Sequence, residues 1–280
     1  MTAERAKLGD VEIAYEVHRA TTPNPGLPVL LVMGFTMPGR AWRFIVPELA
    51  ATRDVCTFDN RGAGASTATE GPYTMAQLAG DAVRLLDHLG WQRAHVVGVS
   101  MGGMIAQRLA LNATSRLASL TLIATHAGGL LSIMPPVRGV LPFVQANFLA
   151  KSGSPERRYR ALARMLFPRP WLDSTDAARV EELLRHDFEP PAPEVGRKGQ
   201  LKAVFGHRAA RELGRLQGLP TLIIKPTEDA LIAPRHSDRL HRAIPNSRLV
   251  VFEGAGHGLI RQVPGELAQV IGEHLSRADD

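Results

Sequence analysis

Between Ala94 and Leu111 the chain runs from an aliphatic strand straight into a helix through Gly98-Val99-Ser100-Met101-Gly102. This junction restricts the fold more than any other feature of the sequence. Ala94–Gly98 is short and apolar, as a strand covered on both faces must be, and Gly102–Leu111 has helical spacing. A turn this sharp strains the backbone of its central residue, so the positions two away on either side must be small. Gly98 and Gly102 meet that demand.

The same alternation extends to both sides. Leu8–His18 reads as an antiparallel hairpin around a Gly-Asp turn, and Val29–Val32 as a buried strand closed by Gly34. Arg40–Ala51 reads as a helix and Asp54–Asp59 as a strand. Thr74 with Gln77 resembles a capping box opening a helix over Met75–Leu89, and Leu117–Ala124 is the next strand. Strands alternating with helices predict an α/β fold, a mostly parallel central sheet with helices on both faces. The pattern breaks after residue 129. Helical stretches at Glu156–Leu166 and Asp176–His186 lie between proline-rich breaks, with no clear strand. It resumes with a strand at Thr221–Lys225, a helix at Arg235–Ala243, a strand at Arg248–Phe252 and a helix at Pro264–Leu275. The expected division is a core of residues 1–129 and 214–280 with an inserted helical cap at 130–213.

Composition narrows the class. The chain has 280 residues, 45% hydrophobic and 21% charged, enough for a sizeable core and unlike a disordered chain. Its apolar runs fall far short of the roughly 20 residues a membrane span needs. No secretory leader is visible at the start, and Cys56 is the only cysteine, which excludes an internal disulfide or a cysteine zinc cluster. A cytoplasmic location is the expectation. The net charge of +6 is carried by Leu130–Arg215, which holds 15 Lys and Arg against 9 Asp and Glu. Acidic residues are interleaved there, so a solvated surface is the preferred reading and a nucleic-acid partner is not expected.

Ser100 at the junction is a candidate nucleophile, and Met101, at the helix N-terminus, offers its N–H to a developing oxyanion. A serine needs a base. Of ten histidines, His95 reads as packed in its strand, and His88, His236 and His241 as exposed on helices. His257 differs, because it sits in Gly254-Ala255-Gly256-His257-Gly258 just after the last strand. Strand C-terminal ends form the ligand face of an open α/β sheet. A base needs an orienting carboxylate. Asp229, beyond Thr221–Lys225, is the first candidate and Glu228 beside it the alternative. A second oxyanion donor is expected from the Phe35 N–H in the turn Met33-Gly34-Phe35-Thr36, where Gly34 allows close approach.

Met33-Gly34-Phe35, Asp59-Asn60-Arg61-Gly62-Ala63-Gly64-Ala65-Ser66, Gly98–Gly103, Asp229 and Gly256-His257 together resemble the α/β-hydrolase superfamily over essentially the whole chain. The resemblance is to a serine esterase branch that includes polyketide methyl esterases and enol-lactonase-like proteins. The order Ser100, Asp229, His257 matches the family's nucleophile–acid–base order. Some members carry the acid after the preceding strand; here that position reads Ala124-Thr125-His126-Ala127, without a carboxylate. Two departures stand out: Met33 where histidine is common and Pro226 where glycine is frequent. The resemblance implies that Asp59 and Arg61 shape their loop.

A serine nucleophile excludes the branches that form an alkyl ester on aspartate. It leaves hydrolysis of a carboxylic ester, lactone or thioester, which is the expected activity, with no metal and no cofactor. C–C bond hydrolysis, perhydrolysis and lyase chemistry use the same triad, and a ligand-binding receptor could keep the fold. The cap holds 7 of the 15 aromatics. Phe143, Phe148 and Trp171, with Gly34, are the candidate pocket residues for a partly apolar small-molecule substrate.

Overall fold

The computed structural model describes residues 3–23, 25–129, 132, 136, 140 and 155–279. Eight strands form one sheet: β1 (Glu4–Leu8), β2 (Val11–His18), β3 (Gly26–Val32), β4 (Arg53–Phe58), β5 (Ala94–Val99), β6 (Leu117–Ile123), β7 (Thr221–Pro226) and β8 (Arg248–Phe252). Their spatial order is β1-β2-β4-β3-β5-β6-β7-β8. The β1–β2 hairpin is antiparallel and β2 joins β4 antiparallel; all later pairings are parallel.

The aliphatic strands have apolar residues on both faces because each face meets helices. Side chains alternate across a strand. Leu30 and Val32 therefore join Val96, Leu120 and Leu122 in one cluster with helices Met75–His88, Met101–Asn112 and Arg235–Ala243. Val29 and Leu31 join Val97, Ile123, Leu222 and Ile224 in another, with helices Val46–Ala50 and Pro264–Asp279. Thr74 caps its helix through the hydrogen bond from Gln77 N to Thr74 Oγ1 (3.1 Å).

The expected helix over Arg40–Ala51 is instead a 3-10 turn at Gly39–Trp42 followed by a short helix at Val46–Ala50. Pro47 sits in the first turn of that helix and has no N–H to continue a ladder from upstream.

Among the described residues, four α-helices of four residues or more lie between β6 and β7: Pro155–Leu166, Arg169–Ser174, Ala177–Phe188 and Glu194–Gly206. The first three share a small core in which Tyr159, Leu162, Leu166 and Phe167 meet Val180 and Leu184. Several contacts attach them to the sheet and its flanking elements. Asp187, fully buried, ion-pairs with both Arg43 and Arg261. Arg40 donates to the carbonyls of His186 (2.9 Å) and Glu189 (2.7 Å). Gly196 rests on Gly62, where a Cβ added to either glycine would overlap the other's backbone.

The chain leaves β3 toward β4 on one side and returns to β5 on the other. The C-terminal ends of β3 and β5 therefore flank a topological switch point, the usual place for a site in an open α/β sheet.

Candidate active site

Ser100 follows β5 and precedes helix Met101–Asn112 with φ 57° and ψ −123°, a conformation costly for any residue with a Cβ. The surroundings hold it there. Ser100 N donates to Ile123 O (2.9 Å), while its carbonyl accepts from Thr125 Oγ1 (2.7 Å) and Gly103 N (3.0 Å). A Cβ on Gly98 would overlap the Gly102 carbonyl, and one on Gly103 would lie 2.6 Å from the Thr125 methyl. Met101 is the first helical residue, so its N–H has no acceptor inside the helix.

The turn after β3 lies against this elbow. A Cβ on Gly34 would stand 3.2 Å from Ser100 Cβ and 3.8 Å from its Oγ. Only a small residue brings the backbone this close to the hydroxyl without steric pressure. Asn60 Nδ2 supports the turn from below through the Met33 carbonyl (2.9 Å), and Phe35 is half-buried against the core.

Asp229 and His257 come together as a buried pair. His257 Nδ1 is 2.7 Å from Asp229 Oδ2, and Asp229 is fully buried. The other oxygen, Oδ1, accepts from Leu231 N (2.7 Å) and Ile232 N (2.8 Å), which fixes the carboxylate plane. Glu228 is exposed, whereas it is Asp229 that is buried against the imidazole. Pro226 ends β7 opposite Phe252, and Thr227 N and Glu228 N then bond Phe252 O (3.1 Å) and Ala255 O (2.8 Å). Those bonds hold the Asp229 and His257 loops side by side.

Ser100 and His257 share the ligand face, three strands apart, after β5 and β8 in the order β5, β6, β7, β8. Among the described residues no hydrogen bond joins the Ser100 hydroxyl to His257. Catalytic hydrogen bonds are often long before substrate binds. The His257 loop is packed from above by the segment after helix Pro155–Leu166: Gly258 N donates to Leu166 O (2.7 Å), and a Cβ on Gly256 would lie 2.7 Å from Pro168.

Of the pocket candidates, Trp171 stacks on Phe167 with ring centroids 4.4 Å apart and belongs to the packing of the inserted helices. Phe143 and Phe148 lie outside the described residues. Asp59 and Arg61 shape their loop: Asp59 accepts from Gly39 N (2.6 Å) and Ala65 N (2.7 Å), and buried Arg61 bridges Asp81 and Asp10. Burial pushes the Asp59 carboxyl up, against the pull of those two amides.

Sequence reasoning placed His236 on an exposed helix face; it is buried, its ring 5.7 Å from that of His126. Helical spacing alone could not reveal that this face looks down onto the strand ends. Gln200 was not singled out at all. It is fully buried, accepts from Thr36 N (2.7 Å) and donates to Arg61 O (2.9 Å). A lone glutamine on a polar helix carries no signal that would mark it. Among the described residues no group of three His, Cys, Asp or Glu is placed to hold a metal ion, and no helix is long and apolar enough to cross a membrane.

The strained serine, its flanking turn and the buried His–Asp pair follow the C-terminal ends of β5, β3, β8 and β7 of one sheet, and the profile of the alpha/beta hydrolase fold family matches residues 28–260. The chain belongs to the alpha/beta hydrolase fold family. It is 31% identical over 260 residues to RutD of Azorhizobium caulinodans, a protein named for a carbamate hydrolase activity, covering 91% of this chain and 92% of that one. It is 31% identical over 281 residues to the rhodomycin D methylesterase DnrP of Streptomyces peucetius, covering 90% and 91%. Among solved structures it superimposes on a thermophilic esterase from Thermogutta terrifontis with a TM-score of 0.81, at 27% identity and over 100% of both chains. This member of the family is a hydrolase acting on a small molecule.

Proposed function

We propose that this alpha/beta hydrolase cleaves a carboxylic ester through an acyl-enzyme on Ser100. The buried His257–Asp229 pair carries the reading. Asp229 accepts the Nδ1 proton, so Nε2 is left with a free lone pair for the serine proton. The strained elbow and the Gly34 turn supply the rest: a hydroxyl raised off the sheet and two backbone donors beside it.

The steps follow from that arrangement. Ser100 Oγ attacks the ester carbon while His257 Nε2 takes its proton. The carbonyl oxygen becomes an oxyanion held by the N–H groups of Phe35 and Met101. The C–O bond breaks, and the leaving alkoxide takes the proton from Nε2. Water then attacks the acyl carbon, passes a proton to His257, and Ser100 leaves with that proton. Protein groups and water carry every step. Each backbone donor contributes on the order of 3 kcal/mol of transition-state stabilisation.

In this reading residues 130–213 are a cap over a core of 1–129 and 214–280. Gly34 forms the pocket floor, and Phe143, Phe148 and Trp171 lend the cap its apolar character. A second reading, carbamate hydrolysis, is favoured by the similarity to RutD. It uses the same machinery on a less electrophilic carbonyl.

The test is a panel of esters of graded acyl length, a methyl ester and a carbamate, assayed with wild type and Ser100→Ala. Ester turnover that vanishes in Ser100→Ala supports the proposal. Carbamate turnover exceeding all esters supports the second reading. No turnover of any panel member by wild type contradicts both.

A further inference from the structure

We propose that Gln200, on helix Glu194–Gly206, is a positioning residue that holds the oxyanion turn in its working form, so that the inserted helices are part of the catalytic apparatus. This rests on the ester-hydrolase reading above.

The turn Gly34-Phe35-Thr36-Met37 closes with Met37 N bonded to Gly34 O (3.3 Å). Thr36 has φ 59°, whereas Phe35 keeps an ordinary negative φ. A positive φ at the third residue alone is the mark of a type II turn, which favours glycine there. Threonine is branched at Cβ and is a poor occupant of that region. Left to itself, this sequence favours a type I turn. The two forms differ by a flip of one peptide group, the central one between Phe35 and Thr36.

Gln200 grips that peptide. Its Oε1 accepts from Thr36 N at 2.7 Å, and its Nε2 donates to Arg61 O at 2.9 Å. The amide orientation is set by its partners, since an N–H only donates and a carbonyl only accepts. The side chain is fully buried and spans the turns after β3 and β4. Its helix is seated so that it cannot drift. Gly196, four residues earlier and on the same face, touches the Gly62 backbone, and Gly199 lies against the Tyr73 ring, where a Cβ would come within 2.7 Å. The flip would swing the Phe35 carbonyl toward Gln200 and re-aim the residue whose N–H meets the oxyanion. Gln200 touches no reacting atom in this scheme; it acts through Thr36.

The experiment compares wild type, Gln200→Met, Gln200→Glu, Thr36→Gly and the double variant Gln200→Met/Thr36→Gly. All are assayed on the fastest ester of the panel, with melting temperatures measured alongside. Gln200→Met should lower kcat about 10- to 100-fold, with KM changed less than about 3-fold, because a misplaced donor costs the transition state more than the ground state. Thr36→Gly lets the turn adopt positive φ without help. In the double variant it should therefore restore kcat to within about 5-fold of wild type, without restoring the melting temperature. A purely structural role predicts no such separation. Should Gln200→Met fail to fold, Gln200→Glu decides. Protonated in this buried seat, its carboxyl accepts from Thr36 and donates to Arg61. Its kcat should match wild type at pH 6 and fall below it as the carboxyl ionises at higher pH. A Gln200→Met enzyme within 2-fold of wild type, a double variant no better than Gln200→Met, or a Gln200→Glu profile parallel to wild type overturns the proposal. If wild type itself turns over no ester, the hydrolase reading fails instead, and the positioning role fails with it.

Discussion

Arg261 reaches out from the short helix that follows the His257 loop and binds Asp187 of the inserted helices, Nε to Oδ2 at 2.5 Å, with both side chains buried. Arg43 completes the cluster from the core side. Burial pulls the Arg261 guanidinium below its ordinary range, and Asp187 pushes back. Breaking a buried ion pair from one side leaves an uncompensated charge. Asp187→Ala, which strands two arginines, should cost roughly 3–5 kcal/mol in urea or guanidinium unfolding. A loss under about 1 kcal/mol, the value of an exposed pair, would show that water reaches the cluster.

The acid assignment makes a paired prediction. In Asp229→Asn, Oδ1 can still accept from Leu231 and Ile232, so the loop keeps its form. The amide now opposes the His257 N–H and selects the wrong tautomer, which should lower kcat about 10⁴-fold. Glu228→Gln, a conservative change at an exposed side chain, should stay within about 2-fold of wild type. Equal losses in both variants would contradict the assignment.

The elbow tolerates no added atom. Gly98→Ala places a methyl group against the Gly102 carbonyl. The backbone must move, at a cost of about 1–3 kcal/mol or more, and Ser100 moves with it. The measurement is kcat beside the melting temperature, with activity predicted to fall further than stability alone explains. Full activity would mean that the turn is looser than its contacts imply.

Five of the six histidines buried among the described residues make the fold sensitive to acid. Burial holds His95, His126, His236 and His274 down to about 4 and His207 to about 3. In the unfolded chain they take up protons near pH 6.5. A depressed folded value means that the unfolded state binds more protons through this window. The stability these groups contribute is present above pH 6.5 and is lost as pH falls toward 4. Each contributes a slope of up to about 1.4 kcal/mol per pH unit. Unfolding free energies measured between pH 7 and pH 4.5 should fall steeply, and His126→Gln/His236→Gln should flatten the slope. A flat profile in wild type would contradict the burial of these rings.

Much of this was legible before any coordinates. Val29–Val32, Ala94–Gly98 and Leu117–Ala124 announce themselves because both faces of each strand are covered, so burial leaves short, mostly apolar runs interrupted only by the buried His95, Ser119 and Thr121. The elbow is legible because steric need leaves glycine at Gly98 and Gly102, and His257 because glycines surround it after a strand. The rest depends on distant partners. Asp229 and Glu228 differ in sequence by one position, and only the fold shows which of them turns inward to the imidazole. Gln200 lies 164 residues from Thr36, and no local pattern encodes that contact. His236 reads as a surface residue until the His126 ring is found beneath it. Pro47 breaks a helix that apolar spacing alone would have allowed.

The central claim is that Ser100 is an activated nucleophile. Intact-mass measurement after brief exposure to a fluorophosphonate tests it most directly, with wild type beside Ser100→Ala. A single adduct on wild type, located at Ser100 by peptide mapping and missing from Ser100→Ala, is the predicted result. An unmodified wild type, or an adduct that persists in Ser100→Ala, would contradict it.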